Sequence, residues 1–183
     1  MAKRLVLSMW CASLLACGAK PDAPVLAQTD LESPQAISQW LKAHRWTADR
    51  TFANAFLPHA HESARKQNWG PAGKGFCESA MHYPAPQSLR WCADASLHVY
   101  GPVRVRTGET FKEKSDLAGA LCMLDSASAA DAVLNELSPA DKSSLEQDRT
   151  CLQAYLNDQL DTARADACAP IAAYRNLDRP RGR

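Results

Sequence analysis

The sequence predicts an α+β fold that is mainly helical, with four to six helices and a small antiparallel sheet over about residues 76–107. Two observations carry this prediction. Apolar residues recur at helical spacing along most of the chain after residue 33, whereas residues 97–106 alternate between apolar and polar side chains. The length suits one globular domain over residues 33–177, because this much chain can bury a single modest core.

Two helix starts are well marked. Ser33 precedes Pro34, and Ser138 precedes Pro139. In both places a good N-cap residue is followed by a proline at the first helical position, where its missing N–H is not needed. Pro58 is expected to break or kink a helix, and Pro170 another. Further helix starts are expected at Thr47, Ser115, Ser128 and about Ala163.

The predicted sheet follows a predicted loop. Residues 69–75, WGPAGKG, are rich in glycine and predict a loop. Leu97 and Val99 then alternate with polar or aromatic neighbours, and the same alternation resumes over residues 103–106. Gly101-Pro102, between the two runs, is typical of a turn, so the pattern indicates a β-hairpin.

Five cysteines remain if residues 1–16 are removed and Cys17 is modified, and an odd number leaves one thiol over. They are Cys77, Cys92, Cys122, Cys151 and Cys168. Cys77 and Cys92 are equidistant from Pro84-Ala85 and are expected to pair across a hairpin. Cys151 can pair with Cys168, which is slightly favoured, or with Cys122. Each closed loop would stabilise the domain by about 3 kcal/mol.

The first residues have the pattern of an export signal. Lys3 and Arg4 precede an apolar segment over residues 5–16, which is the length of a secretory signal and too short to span a bilayer. Residues 14–17, LLAC, resemble the lipobox of bacterial lipoproteins. The resemblance implies a signal peptide over residues 1–16, acylation of Cys17, and a tether over residues 17–32.

The same resemblance bears on location, because Gly18 stands where members retained in the inner membrane often carry Asp. It therefore implies an outer-membrane lipoprotein that faces the periplasm and contacts outer-membrane lipid through Cys17. Two alternatives remain open, which are cleavage after Ala27 and an uncleaved membrane anchor. Cys11 fits a lipobox less well because the bulky Trp10 precedes it.

The charge balance does not favour nucleic acid as a partner. The formal net charge is +1, and removing residues 1–16 takes away two cations and no acid, which gives −1. The arginines of residues 178–183 are expected to form a solvated basic tail that could touch anionic lipid.

Residues 59–62 contain ligand types that suit zinc or copper. His59, His61 and Glu62 lie within four positions, but residues two apart occupy different faces of a helix. An exposed helix start is the preferred interpretation of this segment, and neither a metal nor another cofactor is predicted.

A short segment is similar to the nucleophile region of NlpC/P60 cell-wall cysteine peptidases. The similarity covers Trp69-Gly70 and residues 75–80, GFCESA, although Glu78 stands where that family has Ser and no Asp precedes Cys77. It implies Cys77 as the nucleophile and His98 as its base. A cell-wall cysteine hydrolase is therefore the alternative function.

The preferred function is binding, because no complete catalytic set can be assembled from the sequence. The chain is expected to be a membrane-anchored periplasmic lipoprotein that binds a protein or envelope component. An inhibitor, an immunity or exclusion factor, or an assembly subunit would fit this description. Trp69 is the expected contact residue, because tryptophan is common at interface anchors and a glycine-rich loop would bury it little.

Overall fold

The computed structural model describes residues 23–109 and 112–175, and all regular secondary structure in this part of the chain is helical. The predicted α+β class is therefore wrong, since the described residues contain no strand. A short 3-10 helix over Gln28–Glu32 comes first. The α-helices are α1 (Pro34–His44), α2 (Arg50–Asn54), α3 (Leu57–Arg65), α4 (Trp69–His82), α5 (Pro86–Thr107), α6 (Glu113–Leu134), α7 (Pro139–Leu156), α8 (Thr162–Ala167) and α9 (Ala169–Tyr174).

Helix α5 replaces the predicted β-hairpin. Leu89, Ala93 and Leu97 lie four residues apart and are all buried, so the burial follows a helical period through the segment. Pro102 lies inside this helix and ends no element. The alternation of residues 97–106 misled the prediction because tertiary packing overrode the local β preference of the valines.

Helix α4 replaces the predicted glycine-rich loop. Its glycines serve close packing: a Cβ at Gly73 would lie 3.5 Å from Ala95 Cβ, and one at Gly75 only 2.8 Å from Ala60 Cβ. The small residues thus let α3 and α5 approach α4 on two sides. The predicted start at Ser115 lies two residues inside the observed start of α6 at Glu113, whereas the predicted start at Ser128 is wrong because α6 runs unbroken through it.

Helices α4 and α5 form an antiparallel hairpin. The disulfide between Cys77 and Cys92 joins them with a Cα–Cα distance of 4.8 Å, and Ser79 Oγ lies 3.3 Å from Ser88 Oγ nearer the turn. Each pair is nearly equidistant from residues 84–85, as the facing residues of any hairpin must be. The predicted pairing of these two cysteines is confirmed, although it joins helices and not strands.

The other predicted bridge is also present. Cys151, in the last turns of α7, is bonded to Cys168, which lies between α8 and α9. Cys122 is a free, half-buried thiol on α6. Burial, with the nearby carboxylates of Asp125 and Glu32, raises the pKa of the Cys122 thiol.

Helix α6 is a core helix that packs against α1, α5 and α7. Among the described residues it is also the one helix long and apolar enough to cross a membrane by length and composition. Half of its apolar window is buried inside the fold, and core helices of globular proteins meet the same criteria. This is weak evidence for a membrane span.

The clearest predicted helix starts are confirmed. Ser33 Oγ accepts a hydrogen bond from Ala36 N at 3.2 Å, and Ser138 Oγ accepts one from Asp141 N at 3.1 Å. Thr47 does not cap α2. Asp49 does so, through its carboxylate, which accepts a hydrogen bond from Phe52 N at 2.9 Å.

The domain begins earlier in the chain than predicted. Leu26 and Leu31 are buried within residues assigned to the tether, and Leu26 N donates a hydrogen bond to Met81 O at 3.0 Å. Trp40 Nε1 also donates to Pro24 O at 2.7 Å. Residues 23–32 therefore pack against the core.

A buried carboxylate closes the end of α6. Asp131 Oδ1 accepts hydrogen bonds from Glu136 N and Leu137 N, both at 2.8 Å, and Lys142 Nζ lies 3.0 Å from Oδ2. Burial disfavours the charged form, but the hydrogen bonds from these groups outweigh it and lower the pKa of Asp131. The ionised side chain thus accepts hydrogen bonds from backbone N–H groups in the connection between α6 and α7.

The C-terminal helix α9 packs very closely on α5. A Cβ at Gly101 would clash with the carbonyl oxygen of Tyr174 and lie 2.5 Å from its carbonyl carbon. The Tyr174 hydroxyl donates to Asp116 Oδ2 at 2.8 Å, and Arg104 Nε donates to the same oxygen at 3.2 Å. Burial and this hydrogen bond raise the pKa of Tyr174 well above its usual value.

Candidate functional site

The helical hairpin carries a stacked pair of rings at the start of α4. The Trp69 and His98 rings lie 3.8 Å apart at an interplanar angle of 7°. Both side chains are half-buried, and His98 Nε2 lies 3.9 Å from Asp94 Oδ2 on the preceding turn of α5. Trp69, which was predicted as a contact residue in a loop, thus lies on a rigid helix.

A second ring cluster lies two turns away on the same side of the hairpin. Phe76 and Trp91 are 5.5 Å apart between ring centroids, and His61 of α3 lies 4.3 Å from Trp91 and 5.0 Å from Phe76. Residues seven apart share a helix face, which places both clusters on one side of the hairpin, with Phe76 buried and the other rings partly or fully exposed. We call Trp69, His98, Phe76, Trp91 and His61 the hairpin face.

A cleft of about 190 Å³ lies beside Trp91 and is bounded by α5, α7 and the start of α9. Its polar lining includes Gln87, Arg90, Asp94 and Asp148. Arg90 holds the wall together, because its guanidinium donates to Ser144 Oγ at 3.0 Å and to Asp148 Oδ2 at 3.5 Å.

The cleft and the hairpin face together carry aromatic rings and polar groups of the kinds that bind other molecules. Trp69, Trp91 and His98 are half-buried and His61 is exposed, so these rings present flat surface, whereas Phe76 is buried beneath them. Gln87 Oε1 is a buried acceptor without a hydrogen-bond partner. The carboxylates of Asp94 and Asp148 and the Arg90 guanidinium line the same cleft. Such a surface suits contact with another molecule through stacking and hydrogen bonds.

Cys77 and His98, the predicted nucleophile and base, do not form a catalytic pair. A cysteine nucleophile must be a free thiolate, whereas Cys77 Sγ is bonded to Cys92. His98 stacks on Trp69, and the segment between Cys77 and His98 is the helical hairpin of α4 and α5.

The three candidate metal ligands, His59, His61 and Glu62, do not converge on one point in the structure. His61 packs on rings of the hairpin face, His59 is exposed, and Glu62 forms ion pairs with Arg65 and Lys66. Within residues 23–109 and 112–175, no group of three or more histidine, cysteine or acidic side chains could hold a metal ion.

Several sequence-based predictions lie outside the described residues. These are the signal peptide over residues 1–16, the anchor Cys17, and the basic tail over residues 178–183. They stay predictions.

The sequence prediction missed Trp91 and the cleft beside it. The available signal was the seven-residue spacing of Trp69 with Phe76 and of Trp91 with His98, which places each pair on one face only if both segments are helical. Predicting a loop and a sheet there hid that spacing. No protein-family model, curated protein or solved structure matches the chain.

Proposed function

We propose that this protein is a lipid-anchored binding module of the bacterial outer membrane, which contacts a protein or envelope component in the periplasm through its hairpin face. An inhibitor, an immunity or exclusion factor, or an assembly subunit would act in this way. The observation that carries the proposal is the stacked, half-exposed pair of Trp69 and His98 on a helical hairpin that a disulfide holds together.

The hairpin face has the properties of an interface anchor. Trp69 is held by its stacking on His98, so little side-chain freedom is lost when a partner binds. Tryptophan is enriched among residues that dominate binding energy, because it offers a large contact area. Trp91 adds a second ring at the edge of the cleft.

The cysteines support an exported location. Two disulfides join four of the five cysteines in the described part of the chain, and disulfides persist in oxidising compartments such as the periplasm. The lipobox-like residues 14–17 supply the anchor in this proposal. Because one of those bridges occupies Cys77, binding is favoured over a hydrolase that needs its thiolate.

Site-specific crosslinking in intact cells tests the contact surface. A photo-reactive phenylalanine analogue in place of Trp69 should give a discrete crosslinked product, because the side chain faces the partner. The matched control carries the same analogue at Gln147, which is exposed on α7. Equal products from both positions would contradict the assignment of the surface. If no product forms at residue 69 and the purified protein cleaves cell-wall peptides, the function is hydrolysis instead.

The anchor is tested separately with Cys17→Ser. This change should abolish metabolic labelling with a palmitate analogue and release the protein from the membrane fraction, because no sulfur remains to acylate. Cys11→Ser is the matched control and should label normally. Unchanged labelling of the Cys17→Ser protein would refute the proposed anchor.

A further inference from the structure

Exposed hydrophobic side chains concentrate at one end of the molecule. Among the described residues, four large hydrophobic side chains are exposed, and three of them belong to the first part of the chain. Trp46 is 79% exposed, Val25 54% and Phe52 50%. A tryptophan ring exposed to this extent offers a large apolar surface to its surroundings.

Contacts place both Val25 and Phe52 near the last turn of α4. Leu26 N donates to Met81 O at 3.0 Å, which holds the neighbouring Val25 beside the last turn of α4. The Phe52 ring lies 4.8 Å from the ring of His82, the last residue of that helix.

Trp46 belongs to the same region. It lies two residues beyond the end of α1, and its neighbour Arg45 interacts electrostatically with Tyr83. Trp40, on α1 itself, lies 6.3 Å from the Tyr83 ring. Tyr83 directly follows α4. We call Val25, Trp46 and Phe52 the anchor end.

The chain enters the described fold at this same end. Ala23 is the first described residue, and Cys17 precedes it by six positions. Six residues span at most about 22 Å, even when fully extended. If Cys17 carries lipid, the anchor end must lie within roughly that distance of the bilayer surface.

We infer that the anchor end docks on the surface of the bilayer that holds the lipid anchor, with Trp46, Phe52 and Val25 at the level of the phospholipid headgroups. This inference rests on the proposed acylation of Cys17. Tryptophan suits the membrane interface because its ring is apolar on one side and carries an N–H donor.

Basic groups next to the anchor end match the phosphates of such a surface. Lys42 is exposed in the last turn of α1. The half-buried Arg45 guanidinium lies 4.8 Å from the centre of the Trp46 ring and donates a hydrogen bond to Val133 O at 3.1 Å. Cations near an anionic lipid surface are attracted to it over about a Debye length.

Docking in this way fixes the orientation of the domain. Trp69 opens α4, thirteen residues before His82, which corresponds to about 20 Å along the helix. The stacked pair of Trp69 and His98 would therefore point away from the membrane, where a periplasmic partner can reach it.

Quenching by brominated lipid tests this inference. The full, acylated protein is reconstituted in vesicles of phosphatidylethanolamine and phosphatidylglycerol that carry brominated acyl chains, and tryptophan fluorescence is compared with that in unbrominated vesicles. Wild-type protein should be quenched, and W46F should lose most of that quenching. The matched variant W46F/Y100W moves an exposed tryptophan to α5, about 20 Å from the anchor end, and should not regain it.

The possible outcomes distinguish failure of the proposed docking surface from failure of the proposed lipid anchor. Quenching of W46F equal to that of wild type, or its recovery in W46F/Y100W, would overturn the docking geometry. The mass of the Cys17 peptide is measured on the same samples. Acylated, vesicle-bound protein that shows no quenching overturns the docking alone. An unacylated Cys17 overturns the proposed anchor, and the docking falls with it.

Discussion

Replacing Gly101 with alanine tests the close approach of α5 and α9. The added Cβ would lie 2.5 Å from the Tyr174 carbonyl carbon and would clash with its oxygen. Normal carbon contacts need about 3.5 Å or more, so α9 would have to move by more than about 1 Å, since the oxygen lies closer still. Because the obstacle is backbone, no rotamer change can relieve the clash.

The expected cost exceeds the helix-propensity gain. Alanine is favoured over glycine inside a helix by about 1 kcal/mol. Forcing extra volume into a packed contact costs about 1–3 kcal/mol. Displacing α9 also weakens the hydrogen bond from Tyr174 to the Asp116 carboxylate, and bonds of that kind contribute about 1.5–3 kcal/mol. We expect Gly101→Ala to lower the free energy of unfolding by about 2–3 kcal/mol after the propensity gain is included.

Gly119→Ala is the matched control, because it makes the same change inside α6. The nearest atom to a Cβ there is Glu32 Oε1 at 3.6 Å, an ordinary contact. This variant should be more stable than wild type by about 0.5–1 kcal/mol. Urea unfolding of the disulfide-intact proteins, followed by far-ultraviolet circular dichroism, measures both. A Gly101→Ala protein as stable as Gly119→Ala would refute the reasoning.

Three further outcomes are expected. Iodoacetamide without reductant should modify Cys122 alone among the cysteines of residues 23–175, as read by peptide mass spectrometry, and modification of Cys77 would contradict the observed bridge. Replacing Cys77 and Cys92 together by serine should cost about 3 kcal/mol in urea unfolding, because the unfolded chain loses a closed loop, whereas Cys122→Ser should change stability little. Asp131→Asn should cost about 1–2 kcal/mol at pH 7. Since the folded pKa of Asp131 is lowered, its stabilisation is full above the ordinary value near 4 and is lost as the pH falls through the folded value. Equal losses for this variant at pH 7 and pH 3 would refute that assignment.

Local signals in the sequence predicted local structure well. Ser33 and Ser138 cap their helices because an N-cap needs only its own side chain and the next three residues. The disulfide pairing of Cys77 with Cys92 could also be predicted. Symmetry about a turn holds for a hairpin of helices as well as one of strands, so the correct pair followed from a wrong secondary structure.

The errors arose where glycine and proline serve tertiary contacts. Gly101-Pro102 is typical of a turn, but Gly101 makes room for the Tyr174 backbone in the middle of α5. Gly75 likewise admits Ala60 of α3. The sequence alone does not show which distant segment comes near a glycine, so these positions could not be told from turns. The hairpin face depends on the same two helices and was missed with them.

The disulfide between Cys151 and Cys168 would keep the C-terminal part of the fold attached if the backbone between these two residues were cut. The peptide between these two residues includes the end of α7, an exposed connection around Asp158, and α8. If a protease cut that connection, the fragment that contains α9 would stay covalently attached to α7. Helix α9 could then remain seated against Gly101 of α5, and only reduction of the bridge would set the fragment free.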